Sequence, residues 1–247
     1  MAEDKPYTIQ LAAGLGLVSE TKTLLDLWTP GMSTSKLHQV ALESGRFPTV
    51  TARRLRNIVA ECFAPRYLVS GGAPAANLKL LAPALSTSDL TQLMLLYTSR
   101  AHPILADFIR QVYWPWYAGG HTEISNREAR AFVERGIDDE GYLTGCCADY
   151  GMLEGGKRTN RKFLPFRISA PTAAYLAYDL HFAGIGDNAL LAHDDWQLFG
   201  LDRNDALEEI KRLSLKGFLI VQAAGDVIRI SWKLPTMEAL CDVLNQG

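Results

Sequence analysis

The side chains of this sequence best equipped for chemistry are cations beside hydrogen-bonding neighbours, and they fall in two runs. In Thr51-Ala52-Arg53-Arg54-Leu55-Arg56-Asn57, three guanidiniums crowd around an amide. In Gly155-Gly156-Lys157-Arg158-Thr159-Asn160-Arg161-Lys162, four cations follow a glycine pair and accompany a hydroxyl and an amide. Guanidinium and ammonium groups hold phosphate oxygens, and asparagine can read a base edge, so the chemistry these runs imply is nucleic-acid recognition rather than bond-making. Bond-making patterns are near-misses. Gly151 to Arg158 almost spells a phosphate-binding loop, but Arg158 stands where Ser or Thr must hold magnesium, and a strand rather than a helix is expected to follow. His38, His102, His121, His181 and His193 are dispersed, and vicinal Cys146-Cys147 cannot form a CxxC clamp. No nucleophile, base and oxyanion pattern emerges, so the expectation is no enzyme, no cofactor, no metal and no small-molecule substrate.

Elements must position the two runs. Leu55, Ile58, Val59, Cys62 and Phe63 recur at helical spacing and form one apolar stripe, which turns Arg53 and Asn57 outward with Arg54 and Arg56 flanking. Ahead of it, Ser33 can cap a helix holding Leu37, Val40 and Ala41, Gly45 stops it, and Thr49 is expected to cap the restart after Pro48. Segment 33–66 therefore reads as a helix-turn-helix-like pair, or equally as an ordinary helical hairpin with a solvated arginine face. Ser19 is expected to cap an earlier helix running to Trp28. Leu68 to Ser88 reads as a connection with a short helix, and Ser88 as the cap of an apolar helix that His102-Pro103 interrupts before Ile104 to Tyr117. The aromatic end Tyr113-Trp114-Pro115-Trp116-Tyr117 suits either core packing or base stacking.

The second half opens on a capping box, Ser125 to Glu128. Two runs then resemble each other: Gly151-Met152-Leu153 leading to Arg167-Ile168-Ser169, and Gly217-Phe218-Leu219 leading to Arg229-Ile230-Ser231. Each reads as a β-hairpin, near 152–168 and 218–232, and helices at Pro171 to Phe182 and Arg203 to Leu215 make the region winged-helix-like. The first hairpin tip would carry Lys157, Arg158, Arg161 and Lys162 onto phosphates, or would be a solvated basic loop. The expected fold is mainly α, a helical domain over 1–122 followed by a winged-helix-like α+β region over 123–247.

Composition narrows the setting. Of 247 residues, 48% are hydrophobic, enough for a buried core. The net charge of -2 conceals a split, with 11 basic and 8 acidic residues in 1–122 against 14 and 19 in 123–247. MAEDKPYT lacks a signal-peptide pattern and no apolar run is long enough for a span, so a cytoplasmic chain without a membrane partner is expected.

The runs Ser19-Glu20-Thr21, Leu24 to Trp28, Gly31-Met32-Ser33, Thr51-Ala52-Arg53-Arg54-Leu55 and Pro65-Arg66-Tyr67 resemble the BrxA family of BREX phage-defence islands. The likeness returns at His193 to Trp196, Phe199-Gly200-Leu201 and Gly225 to Ile230. It implies a mostly helical cytoplasmic accessory protein with double-stranded DNA as partner, encoded beside a methyltransferase, an ATPase and a phosphatase-like protein. Contacts with other BREX proteins are a further expectation, and a protein-interaction subunit or a winged-helix regulator are the alternatives.

Overall fold

The computed structural model describes residues 16–133, 142–156, 159–224 and 227–246. Among the described residues helices dominate and the named strands form two antiparallel pairs, so the fold is mainly α as expected. The chain forms two compact units: Met1–Lys79 with Met94–Pro165, and Leu80–Leu93 with Phe166–Gly247. This differs from a division at residue 122. The stretch up to Pro165 is tied to the first half by hydrogen bonds from buried side chains, Thr98 to Tyr150 at 2.5 Å and the Tyr113 hydroxyl to the Met152 carbonyl at 3.0 Å.

In the first unit, α1 (Val18–Leu27) is not capped by Ser19 but follows Leu17 in the left-handed region, φ 48°. Tertiary bonds set that entry. The Gly16 N–H donates to Asp149 at 2.9 Å, and its carbonyl accepts from Tyr150 at 3.3 Å and from Arg66 at 3.5 Å. Lys79 Nζ satisfies the other end of α1, donating to the Trp28 and Asp26 carbonyls at 2.6 and 2.8 Å. Ser33 caps α2 (Thr34–Glu43) as expected, accepting from the Lys36 N–H, and Gly45 follows at φ +66°. The restart comes later than Thr49, because Phe47 to Val50 close a turn of their own. Thr51 is the cap of α3 (Ala52–Asn57).

That helix continues through a π-helical turn, Ile58–Phe63, into α4 (Ala64–Tyr67). α5 (Ala73–Leu81) and α6 (Thr87–Ala101) follow, the latter capped by Ser86 rather than Ser88. Next, α7 (Pro103–Phe108) passes through a second π turn, Ile109–Tyr113, into α8 (Trp114–Ala118). Each π turn directly precedes a proline-bearing helix start. A proline inside an α-helix has no N–H and its ring collides with the carbonyl four residues back. Widening the turn so that Ala64 bonds Val59 and Trp114 bonds Ile109 lets the helices pass Pro65 and Pro115 without breaking.

Between these helices lies a buried polar network. Arg66 is 1% exposed, and its Nε donates to His102 Nε2 at 3.4 Å. Burial, with the neighbouring Arg66 charge, pushes the His102 imidazole down to about 4. The unit closes with β1 (Glu123–Ser125), α9 (Asn126–Val133), α10 (Tyr142–Asp149) and β2 (Asn160–Lys162). The capping box is present, with the Glu128 N–H bonding Ser125 Oγ and the Ser125 N–H bonding the Glu128 carboxylate.

The second unit carries α11 (Ala170–Phe182), α12 (Asp187–Leu191), a 3-10 segment at Asp194–Phe199, α13 (Arg203–Leu215), β3 (Leu219–Ala224), β4 (Val227–Trp232) and α14 (Met237–Gln246). Asp202 caps α13 within a capping box. The expected 218–232 hairpin is present, pairing Leu219 with Trp232 through Ala224 with Val227, and it buries Leu219, Ile228 and Ile230. Side chains fasten both of its strands: the Tyr178 hydroxyl donates to the Phe218 carbonyl at 2.6 Å, and Asp187 accepts from the Ile230 N–H at 2.9 Å.

Two outcomes check this packing. Phe63, 1% exposed and in ring contact with Tyr67, should cost about 3 to 5 kcal/mol when cut to alanine, whereas exposed Arg53→Ala should leave the melting temperature nearly unchanged. His102 is neutral in the fold and protonates more readily once unfolded, so the unfolded chain takes up more protons between pH 4 and 6.5, and stability falls as pH drops through that window. Urea denaturation should show wild type losing roughly 3 kcal/mol more across it than His102→Gln; equal losses would contradict the assignment.

Candidate nucleic-acid interface

Thr51 Oγ1 accepts the Arg54 N–H at 3.2 Å and fixes the first turn of α3. Leu55, Ile58, Val59, Cys62 and Phe63 are each no more than 2% exposed, so the apolar stripe is in the core as expected. With that face committed, Arg53, Arg54 and Arg56 are exposed and Asn57 is half-buried. The two other arginines of the stretch have different roles. Arg46 pairs with Asp26, whose carboxyl it holds below the usual range, and Arg66 belongs to the buried network.

Arg54 also borders a cleft of about 530 Å³ that Leu17, Val18, Ser19, Glu20, Lys22 and Asp149 complete. Lys22 adds a second cation at the start of α1, while Glu20 and Asp149 add acids, so the cleft is mixed in charge. Burial pushes the Asp149 carboxyl up, opposed by the Gly16 N–H. Sequence reading passes over this juxtaposition because Asp149 lies far from Arg54 along the chain and only the fold brings them together.

The second expected cluster is divided. Lys157 and Arg158 lie outside the described residues. Arg161 does not sit at an exposed tip: it is 9% exposed and donates from Nη1 to the Glu154 carbonyl at 3.0 Å. Lys162 is exposed, cross-strand from Glu123. Successive side chains of a strand point to opposite faces, so Arg161 and Lys162 cannot grip one backbone together. Nor is 152–168 a two-stranded hairpin of the expected kind. β2 pairs in register with β1, Ile124 opposite Arg161, and the run at 152–154 lies antiparallel along its other side through the Leu153–Phe163 bridge and the Glu154 N–H bond to the Lys162 carbonyl at 2.8 Å. The Phe163 N–H goes to Thr122 and the Leu164 N–H to Met152, so the short strand is held from both edges.

His193 caps the 3-10 segment that starts at Asp194, its ring accepting the Asp195 N–H at 3.2 Å. Cys62, Cys146, Cys147 and Cys241 are buried free thiols, each pushed up by burial, Cys146 to about 12. Among the described residues no helix is long and apolar enough to cross a membrane.

Charge follows the units. The first holds 18 Lys and Arg against 15 Asp and Glu, a net of +3, and the second 7 against 12, a net of -5. All eight residues singled out for nucleic-acid contact belong to the positive unit.

No curated protein and no solved structure matches the chain. A model of the BrxA family matches residues 5–144. The match includes α1 to α9 and the arginine helix, runs through the Leu68 to Ser88 connection, and ends before the later runs around His193 and Gly225. With more than half of its length covered, the chain belongs to the BrxA family and is thereby associated with BREX phage defence.

Proposed function

We propose that this protein is a non-enzymatic accessory factor of cytoplasmic BREX defence that binds double-stranded DNA, largely through phosphates. The observation that carries the reading is the outer face of α3: three exposed arginines on six residues of helix, backed by a stripe no more than 2% exposed. So firmly packed a mount leaves only the side chains, not the backbone, to be ordered on meeting a charged rod, and α3 belongs to a unit with net positive charge. In this reading Arg53, Arg54 and Arg56 contact a groove and its walls beside Asn57, and Lys162 with Lys157 and Arg158 supplies backbone contacts. Arg161 serves the fold of the strand.

A second reading, an interaction subunit, draws on the net charge of -5 in the second unit, which repels a polyanion. The order α11, α12, α13 and hairpin β3–β4 is winged-helix-like, but Glu208 and Glu209 on α13 engage Lys211 and Arg212, so that helix suits a protein better than DNA. The two readings divide the chain between partners and are compatible.

A salt titration of binding to unrelated duplexes separates them. Wild type should bind with similar affinity across sequences, and each neutralised phosphate contact among Arg53, Arg54, Arg56 and Lys162 should reduce the salt slope by about one. Asn57→Ala should matter little unless adenine is read. Absence of duplex binding at low salt, or an unchanged slope after neutralising all four, would leave the interaction subunit as the better account.

A further inference from the structure

At the end of α8 the first unit presents a group of rings that the duplex-binding reading does not use. Tyr113 is fully buried and anchored by its hydroxyl on the Met152 carbonyl. Tyr117 lies parallel to it, the ring planes 9° apart and the centroids 6.0 Å apart. Trp114 meets Tyr117 edge-on at 5.6 Å and Phe163 does so at 5.9 Å. Beside them Trp116 stacks on exposed His121 at 4.7 Å.

We propose that Tyr117 is the outer step of a stacking platform for unpaired bases of single-stranded DNA. Tyr113 lies parallel to the Tyr117 ring while Trp114 and Phe163 meet that ring at steep angles, yet 36% of the residue remains exposed. A planar base laid on the exposed part of this ring would extend the Tyr113–Tyr117 stack by one ring. The mount is stiff, because the π turn at Ile109–Tyr113 and Pro115 fix the helix end. Every base offers a π face, so such a platform tolerates sequence, and the nearest strand ends in exposed Lys162, one residue before Phe163, where a backbone phosphate can be met.

This inference rests on the DNA-binding reading, and one experiment separates the two. Fluorescence anisotropy would compare an oligothymidylate of about twelve nucleotides, an abasic strand of the same length and charge, and an unrelated duplex. Wild type should prefer the base-bearing strand over the abasic one by roughly five- to hundredfold, the range one base–aromatic stack provides. Tyr117→Phe, which keeps the ring, should retain the preference; Tyr117→Leu, which keeps apolar bulk without a π face, should lose most of it while duplex affinity stays unchanged. Tryptophan quenching of the wild-type protein by the two single strands gives a readout independent of any variant, since Trp114 touches Tyr117, and quenching should follow the bases. An equal affinity of wild type for both strands, or a preference that survives Tyr117→Leu, would overturn the platform. If duplex binding persists in that case, the platform alone is refuted; if wild type binds neither strand nor duplex, the DNA-binding reading falls with it.

Discussion

The first unit depends on how it solvates one buried cation. A guanidinium with almost no exposure must find inside the protein the hydrogen bonds it would have had in water, and Arg66 finds them on elements distant in sequence. His102 accepts from it where α6 gives way to α7, and the Gly16 carbonyl accepts from it just ahead of α1. Tyr150 shares that carbonyl and reaches Thr98 in turn, while Asp149 takes the Gly16 N–H. One charge thus binds α4, the α6–α7 junction, the end of α10 and the chain entering α1 into a single arrangement. The bond to His102 requires a neutral ring with its proton on Nδ1, and burial beside a permanent cation supplies that condition.

Everything on the outside of α3 inherits its precision from this interior. The arginine face is carried on a helix whose inner stripe is core and whose following residues lead through a π turn directly to Arg66. Displacing the guanidinium would move α4, and α4 continues α3. The π turns have the same effect at both sites where they occur, allowing proline to lie within a continuous helical rod instead of ending it. The helix end that carries Trp114 and Tyr117 is built on the same principle.

Charge is handled by whole units. A positive unit bears the arginine helix and a negative unit bears the β3–β4 hairpin, and the proposed function assigns them partners of opposite character. The whole-chain charge of -2 averages the two and hides both.

Local chemistry was enough to read much of this from the sequence. The stripe from Leu55 to Phe63, the Ser33 cap, the helix from Arg203 to Leu215, the Ser125 capping box and the 218–232 hairpin depend on residues a few positions apart, whose spacing states the geometry directly. Period-two alternation would also have separated Arg161 from Lys162, had the strand been located first. The remainder was decided by tertiary structure. Ser19 yields its capping role because Gly16 is held by Asp149, Tyr150 and Arg66. β2 pairs with β1 rather than forming a free wing because Thr122 and Met152 accept from its two edges. Arg54 shares a cleft with Lys22 and Asp149, and Arg66, one of five arginines in a basic stretch, turns inward. A sequence shows that a side chain is charged; whether it meets solvent or core depends on the elements that close over it, and those come from elsewhere in the chain.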